Sequence, residues 1–192
     1  MIKIGIVGPE AGKWKPEQIS KARIIIRNIL VAKDPYISFK QEGFYSIKDT
    51  VLVSGHCPKG GVDIWAEEIA DELGIEKDIY IAETSQWKDE WDFNAELPIK
   101  LMGYRSRNIQ IAEACDVLYC IVPYTCSPKE EDHPKFTKEL EEMGIGWKYS
   151  DEPITFYKCK HCKKWGHPSN GGCWAKKKVR QLGKEVHLVV VE

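Results

Sequence analysis

Four residues near the end of the chain carry its most specific chemistry. Cys159, Cys162, His167 and Cys173 stand as C-x2-C-x4-H-x5-C. Zinc takes four nitrogen or sulfur donors in a tetrahedron, and a C-x2-C turn offers two thiolates to one ion. A second pair must return to the same point, and His167 and Cys173 supply it, with His161 as the other histidine that fits. The competing readings are a reduced, metal-free loop and a redox C-x2-C. The second lacks the helix-start context that lowers a thiol pKa. Zinc is therefore the expected cofactor, in a structural role.

The other candidate chemistry is anion capture by glycine loops. Ser54-Gly55-His56-Cys57-Pro58-Lys59-Gly60-Gly61-Val62-Asp63 joins a buried apolar run to an amphipathic one. Glycine lets backbone approach an anion, and a helix N-terminus adds N–H groups and partial positive charge. Ser54, Gly55, Lys59, Gly60 and Gly61 are the candidate phosphate contacts. Asp63 is either a helix-start charge or an acceptor for a ligand hydroxyl. A first loop, Gly8 to Lys13, offers Gly8 and Lys13 to the same ligand. A third junction offers Gly171 and Gly172. Arg105 and Arg107 suit a phosphate, since guanidinium grips such groups in a fork, although exposed arginines are more often plain surface charge. The loop is neither a Walker motif nor a full G-x-G-x-x-G. Cys57 reads as an ordinary loop thiol, and Cys115 and Cys120 as core.

These residues need elements to hold them. Ile2 to Val7 reads as a buried strand and 16–33 as a helix ended by Asp34-Pro35. Val51 to Ser54 is a strand, followed by a helix from Val62 to Leu73 with Gly74 as its cap. Asp78 to Ala82 is expected as a strand, 98–114 as a helix and Val117 to Val122 as a strand. A last helix runs from Gly171 towards Gly183, and Val186 to Val191 closes the chain as a strand. Alternating strand and helix predicts an α/β protein with a Rossmann-like, doubly wound, mainly parallel sheet. Ligands bind such sheets at the C-terminal ends of the strands. The pattern loosens over 123–170, with a helix expected near 134–143 and an extended run from Ile154 to Tyr157. That stretch is longer than ordinary connections, so it reads as a small zinc-binding insertion before the last helix and strand, within a single domain spanning 1–192.

The bulk properties agree. A chain of 192 residues suits one domain with a real core. Its net charge of −1 rules out a polycation, so nucleic acid would need a local patch. No apolar run reaches membrane-spanning length, and Met1 to Gly8 is too short for a signal peptide. The expected location is the cytoplasm, where thiols stay reduced.

Three pieces, in this order, resemble the SLOG superfamily, which includes the "lonely guy" nucleotide hydrolases and the DNA-processing protein A domain. The first is Ser54-Gly55 through Gly60-Gly61-Val62-Asp63, with Ala66 and Ala70 behind it. The second is Arg105 or Arg107, then a helix to Cys115-Asp116 and an apolar strand. The third is Asn170-Gly171-Gly172, helix, Gly183-Lys184, strand. The resemblance covers most of the chain outside 123–169. It implies a Rossmann-like sheet, a nucleotide-type ligand at the two glycine loops, and a homodimer. Where the family carries its catalytic glutamate this sequence has Lys178, and Trp174 and Ala175 replace a glycine and a threonine. The hydrolase's carboxylate is thus absent, and no catalytic residue is assigned. The cysteine cluster resembles a zinc knuckle, C-x2-C-x4-H-x4-C, with one residue added.

Two functions follow. The first is binding of a small nucleotide or nucleotide-derived phosphate ligand at the sheet edge. The alternative is a nucleic-acid-binding module that uses 158–184, where nine Lys/Arg occur with no acid, with Trp165 and Trp174 as stacking surfaces. Trp87, Trp91 and Phe93 are expected either to cover the ligand cleft or to pack on a helix.

Overall fold

In a computed structural model, residues 1–31, 49–123 and 170–191 are described, with backbone alone at 157–158, 165–166 and 170–173. The predicted helix near 134–143, Asp34-Pro35, Cys126, Cys159, His161, Cys162 and His167 lie outside the described residues.

Five parallel strands form the main sheet: β1 (Ile2–Val7), β2 (Thr50–Ser54), β3 (Glu76–Ile79), β6 (Val117–Pro123) and β9 (Glu185–Val191). Their order is β3-β2-β1-β6-β9. The sheet grows outward from β1 in both directions, so the topological switch lies between β1 and β6. The central strands are near-continuous apolar runs because both of their faces are covered. All five residues of β2 and all seven of β6 are buried.

Two cores flank the sheet. On one face α1 (Pro16–Leu30) and α2 (Val62–Leu73) bury Ala22, Ile26, Ile69 and Ala70 against Ile4, Ile6 and Leu52. On the other, α3 (Tyr104–Ala114) and α4 (Asn170–Gln181) bury Ile111, Ala112 and Val179 against Val53, Leu118 and Cys120. The expected doubly wound α/β architecture is therefore present. Cys115 and Cys120 are fully buried core residues, as read from the sequence. Among the described residues no helix is long and apolar enough to cross a membrane.

Two elements differ from the sequence reading. The third strand covers Glu76–Ile79, not 78–82, because its register pairs Val51 with Glu76 and Ser54 with Ile79. As an edge strand it has no need of the apolar pattern that Tyr80 and Ile81 suggested. The helix predicted over 98–114 starts only at Tyr104. Residues before it form a small antiparallel hairpin, β4 (Glu90–Asp92) with β5 (Ile99–Leu101). Leu101, within the span predicted as helix, is therefore a strand residue. Outside the sheet, β7 (Tyr157–Lys158) pairs antiparallel with β8 (Trp165–Gly166).

Candidate functional site

The loops after β1 and β2 meet at the C-terminal edge of the sheet. Gly61, the N-cap of α2, has φ of 101°, and a Cβ there would sit 2.4 Å from the Pro9 carbonyl. Only glycine permits this contact between the two loops. Val62 N–H donates to the Pro9 carbonyl at 3.5 Å, and Trp14 Nε1–H donates to it at 3.3 Å. Trp14 also packs edge-on against Trp65 of α2, with centroids 5.3 Å apart. The first loop is thus fastened to the start of α2. Gly8 lies against the Ile121 carbonyl and Val62.

Beneath these loops sits a cluster of charged groups. Asp63 is 3 % exposed. The Gly8 amide donates to its carboxylate, and Arg107 Nη1 lies 3.8 Å from Oδ2. Oδ1 has no hydrogen-bond partner. Burial pushes the Asp63 pKa up to about 6; Arg107 opposes the rise, while Glu67 adds to it. Arg107 Nη1 donates to the Gly55 carbonyl at 3.0 Å, and Nε and Nη2 donate to Asn108 Oδ1. A side chain on Gly55 would strike this guanidinium, since its Cβ would lie 2.9 Å from Arg107 Cζ. The arginine also stacks over Tyr104 at 5.1 Å.

A second chain of contacts shares the loop. Buried Ser54 donates from Oγ to Glu67 Oε1 at 2.6 Å, and the other oxygen, Oε2, lies 2.6 Å from His56 Nδ1. Glu67 is nearly buried, whereas the His56 side chain is 46 % exposed. His56 is the one non-glycine residue with positive φ, 47°, among those described.

Of the residues named from sequence, Gly8, Ser54, Gly55, Gly60, Gly61, Asp63 and Arg107 come together here. Lys13 and Lys59 are exposed, and both are near Glu10, at 3.9 Å and 3.4 Å. Arg105 is exposed and away from the cluster; its backbone N–H donates to the Trp87 carbonyl. Gly171, Gly172 and Cys173 lie in the first turn of α4. Cys57 is half-buried, and burial pushes its thiol pKa up, the opposite of what a nucleophile needs. Trp87 packs edge-on against Trp174, while Trp91 and Phe93 are exposed.

The sequence reading missed His56, Glu67 and Asn108. One signal was available. Asp63 and Glu67 are four apart on one helix face, and both fall within its buried stripe. Acids are almost never so buried unless they are paired.

No protein-family model matches the chain, and no curated protein matches it. Among solved structures it is similar to DNA processing protein A from Streptococcus pneumoniae, at 13% sequence identity and a TM-score of 0.38. The match covers 98% of this chain and 59% of that one, so the chain spans about three fifths of the length of that protein. A likeness at this level says nothing about the site.

Proposed function

We propose that the chain binds a nucleotide or nucleotide-derived phosphate ligand where the β1 and β2 loops meet, with a structural zinc in the segment before α4. The observation that carries the reading is the buried Asp63 beside Arg107 beneath the glycine loops, with Asp63 Oδ1 left without a partner. A buried polar atom without a partner costs about 1–3 kcal/mol, and a ligand hydroxyl or amine where the two loops meet would satisfy it. The SLOG-like order of motifs points to the same ligand class.

Cys159, Cys162, His167 and Cys173 would hold the zinc, with His161 as the other histidine. What supports this is backbone pairing: Tyr157 opposite Gly166 and Lys158 opposite Trp165 bring together the arms on either side of the C-x2-C. Cys173 lies in the first turn of α4, next to Gly172. Zinc there would supply folding energy and no chemistry.

The nucleic-acid reading is weaker because part of the basic segment is already engaged. Lys184 Nζ donates to the carbonyls of Ala112, Glu113 and Cys115, where it closes the end of α3. Lys176 is buried.

Native mass spectrometry of fresh protein, with metal analysis, tests both parts. The expected result is one zinc per chain and a bound mass matching a nucleotide, retained after a high-salt wash. Cys159→Ser with Cys162→Ser should abolish the zinc. Zinc without small-molecule mass, together with steeply salt-dependent binding of single-stranded DNA, would favour the nucleic-acid reading.

A further inference from the structure

The Ser54–Glu67–His56 chain is not needed to hold a phosphate, yet it is built with care. A buried glutamate spends one oxygen on Ser54 and the other on the Nδ1 of a half-exposed histidine. A carboxylate at Nδ1 fixes the ring orientation and favours the tautomer with the proton on Nδ1. The free Nε2 is then a base. His56 also takes a left-handed backbone conformation, which is uncommon for a non-glycine residue and costs free energy, and such strain gathers at functional sites. The loop's next neighbour supplies a cation: Arg107 Nη1 is bound to the carbonyl of Gly55, the residue before His56. A positioned base, its orienting acid and an electrophilic cation thus converge on one glycine loop, the combination expected of a hydrolytic site.

We infer that this loop is a phosphodiesterase centre, in which His56 is the general base, Glu67 its positioning residue and Arg107 the cation that takes the phosphoryl charge. This rests on the nucleotide-binding reading above. Nε2 removes a proton from water as its oxygen bonds to phosphorus. The P–O bond to the leaving group breaks on the opposite side of phosphorus, the departing oxygen takes a proton from bulk water, and the imidazolium releases its proton to solvent. The products are a phosphate monoester and an alcohol. A diester is the fitting class for two reasons. It carries one negative charge, the least of the phosphate esters, which suits a guanidinium already shared with Asp63. Its reaction also gains from an activated nucleophile, whereas the loose transfer of a terminal phosphoryl group needs little covalent help. The charged groups of the cluster around the ring are Glu67 and Asp63 of α2 and Arg107 of α3.

The p-nitrophenyl ester of thymidine 5′-phosphate tests this with the full chain, through release of p-nitrophenolate. Asparagine tolerates the left-handed conformation, so His56→Asn keeps the loop. The expected result is cleavage by the wild type that rises with pH to a plateau, and a loss of at least ~100-fold in kcat for His56→Asn. Calorimetry should show that His56→Asn still binds the ester within a few-fold of the wild-type KM. Glu67→Gln should move the midpoint of the pH profile, which a merely structural role would not do. Equal cleavage by wild type and His56→Asn overturns the inference. An ester that binds His56→Asn and the wild type but is cleaved by neither also overturns it, and leaves the binding reading standing. An ester that binds neither protein overturns both.

Discussion

Two helices, α2 and α3, start at the same edge of the sheet and close their N-termini to different degrees. The first amides of α3 are taken by its own chain. Gly103 N–H donates to Asp89 Oδ1, Tyr104 N–H to the Gln86 carbonyl and Arg105 N–H to the Trp87 carbonyl. The 83–103 excursion is therefore a cap, and its hairpin holds α3 in place. At α2, Gly61 is the N-cap, no side chain caps the helix, and Val62 N–H reaches the Pro9 carbonyl at 3.5 Å. Charged groups lie beneath it: Asp63 and Glu67 are buried and Arg107 is partly so. A helix start closed by protein groups is a structural joint. One held by a long backbone bond, beside a strained loop and over a buried acid, keeps amides for a ligand.

The largest expected effect comes from breaking the contact between Gly61 and the first loop. Gly61→Val puts a branched side chain at φ 101° against the Pro9 carbonyl. Strain and clash together should destabilise the fold by about 3 kcal/mol, read as a lower urea midpoint, and should abolish nucleotide binding. Next comes the acid beneath it. The Asp63 pKa is about 6 in the folded protein against an ordinary 3.8, so the folded state holds a proton that the unfolded chain has released between those values. Its contribution therefore falls as pH rises from about 4 to about 6 and is level above that. Asp63→Asn should lack this decline. The difference in unfolding free energy between variant and wild type should shift by about 2–3 kcal/mol between pH 4 and pH 7, measured by urea titration at both.

Arginine substitutions sharpen the comparison. Arg107→Met should weaken nucleoside monophosphate binding by about 10- to 100-fold, as expected for a lost charge-assisted contact, while Arg105→Met should change it by less than about 3-fold, the scale of a surface charge. Calorimetry on the pair decides which arginine faces the ligand. The smallest effect belongs to the closed end. The Asp89 carboxyl pKa is held below the usual range by Lys100, Ser106 and the Gly103 amide. Asp89→Asn should be less stable than wild type at neutral pH, and the gap should shrink as pH falls below about 4, with nucleotide affinity unchanged.

Much of this contrast was legible in the residues. β1, β2 and β6 are apolar runs that could only be buried strands, and α2 announces itself with Val62, Ala66, Ile69 and Gly74. Gly55, Gly60 and Gly61 mark a loop that brings backbone close to something. Other parts were hidden for physical reasons. Glu76 and Lys77 do not look like a strand because an edge strand needs no apolar pair. The start of α3 could not be placed because its cap, Asp89, is fourteen residues away in sequence. Arg107 could not be told from Arg105 without the helix face that turns one towards Gly55. The Ser54–Glu67–His56 chain joins a strand end to the second turn of the next helix, a contact that the spacing alone does not single out.

The most direct test of the binding claim is an amide-resolved NMR titration of the full chain with an equimolar mixture of the four nucleoside 5′-monophosphates, at a salt concentration high enough to screen surface charge. The account predicts saturable shifts at residues 8–11, 54–63 and the Arg107 turn, with the α3 cap at 86–89 unmoved. Shifts confined to 158–184, or none that saturate, would contradict it.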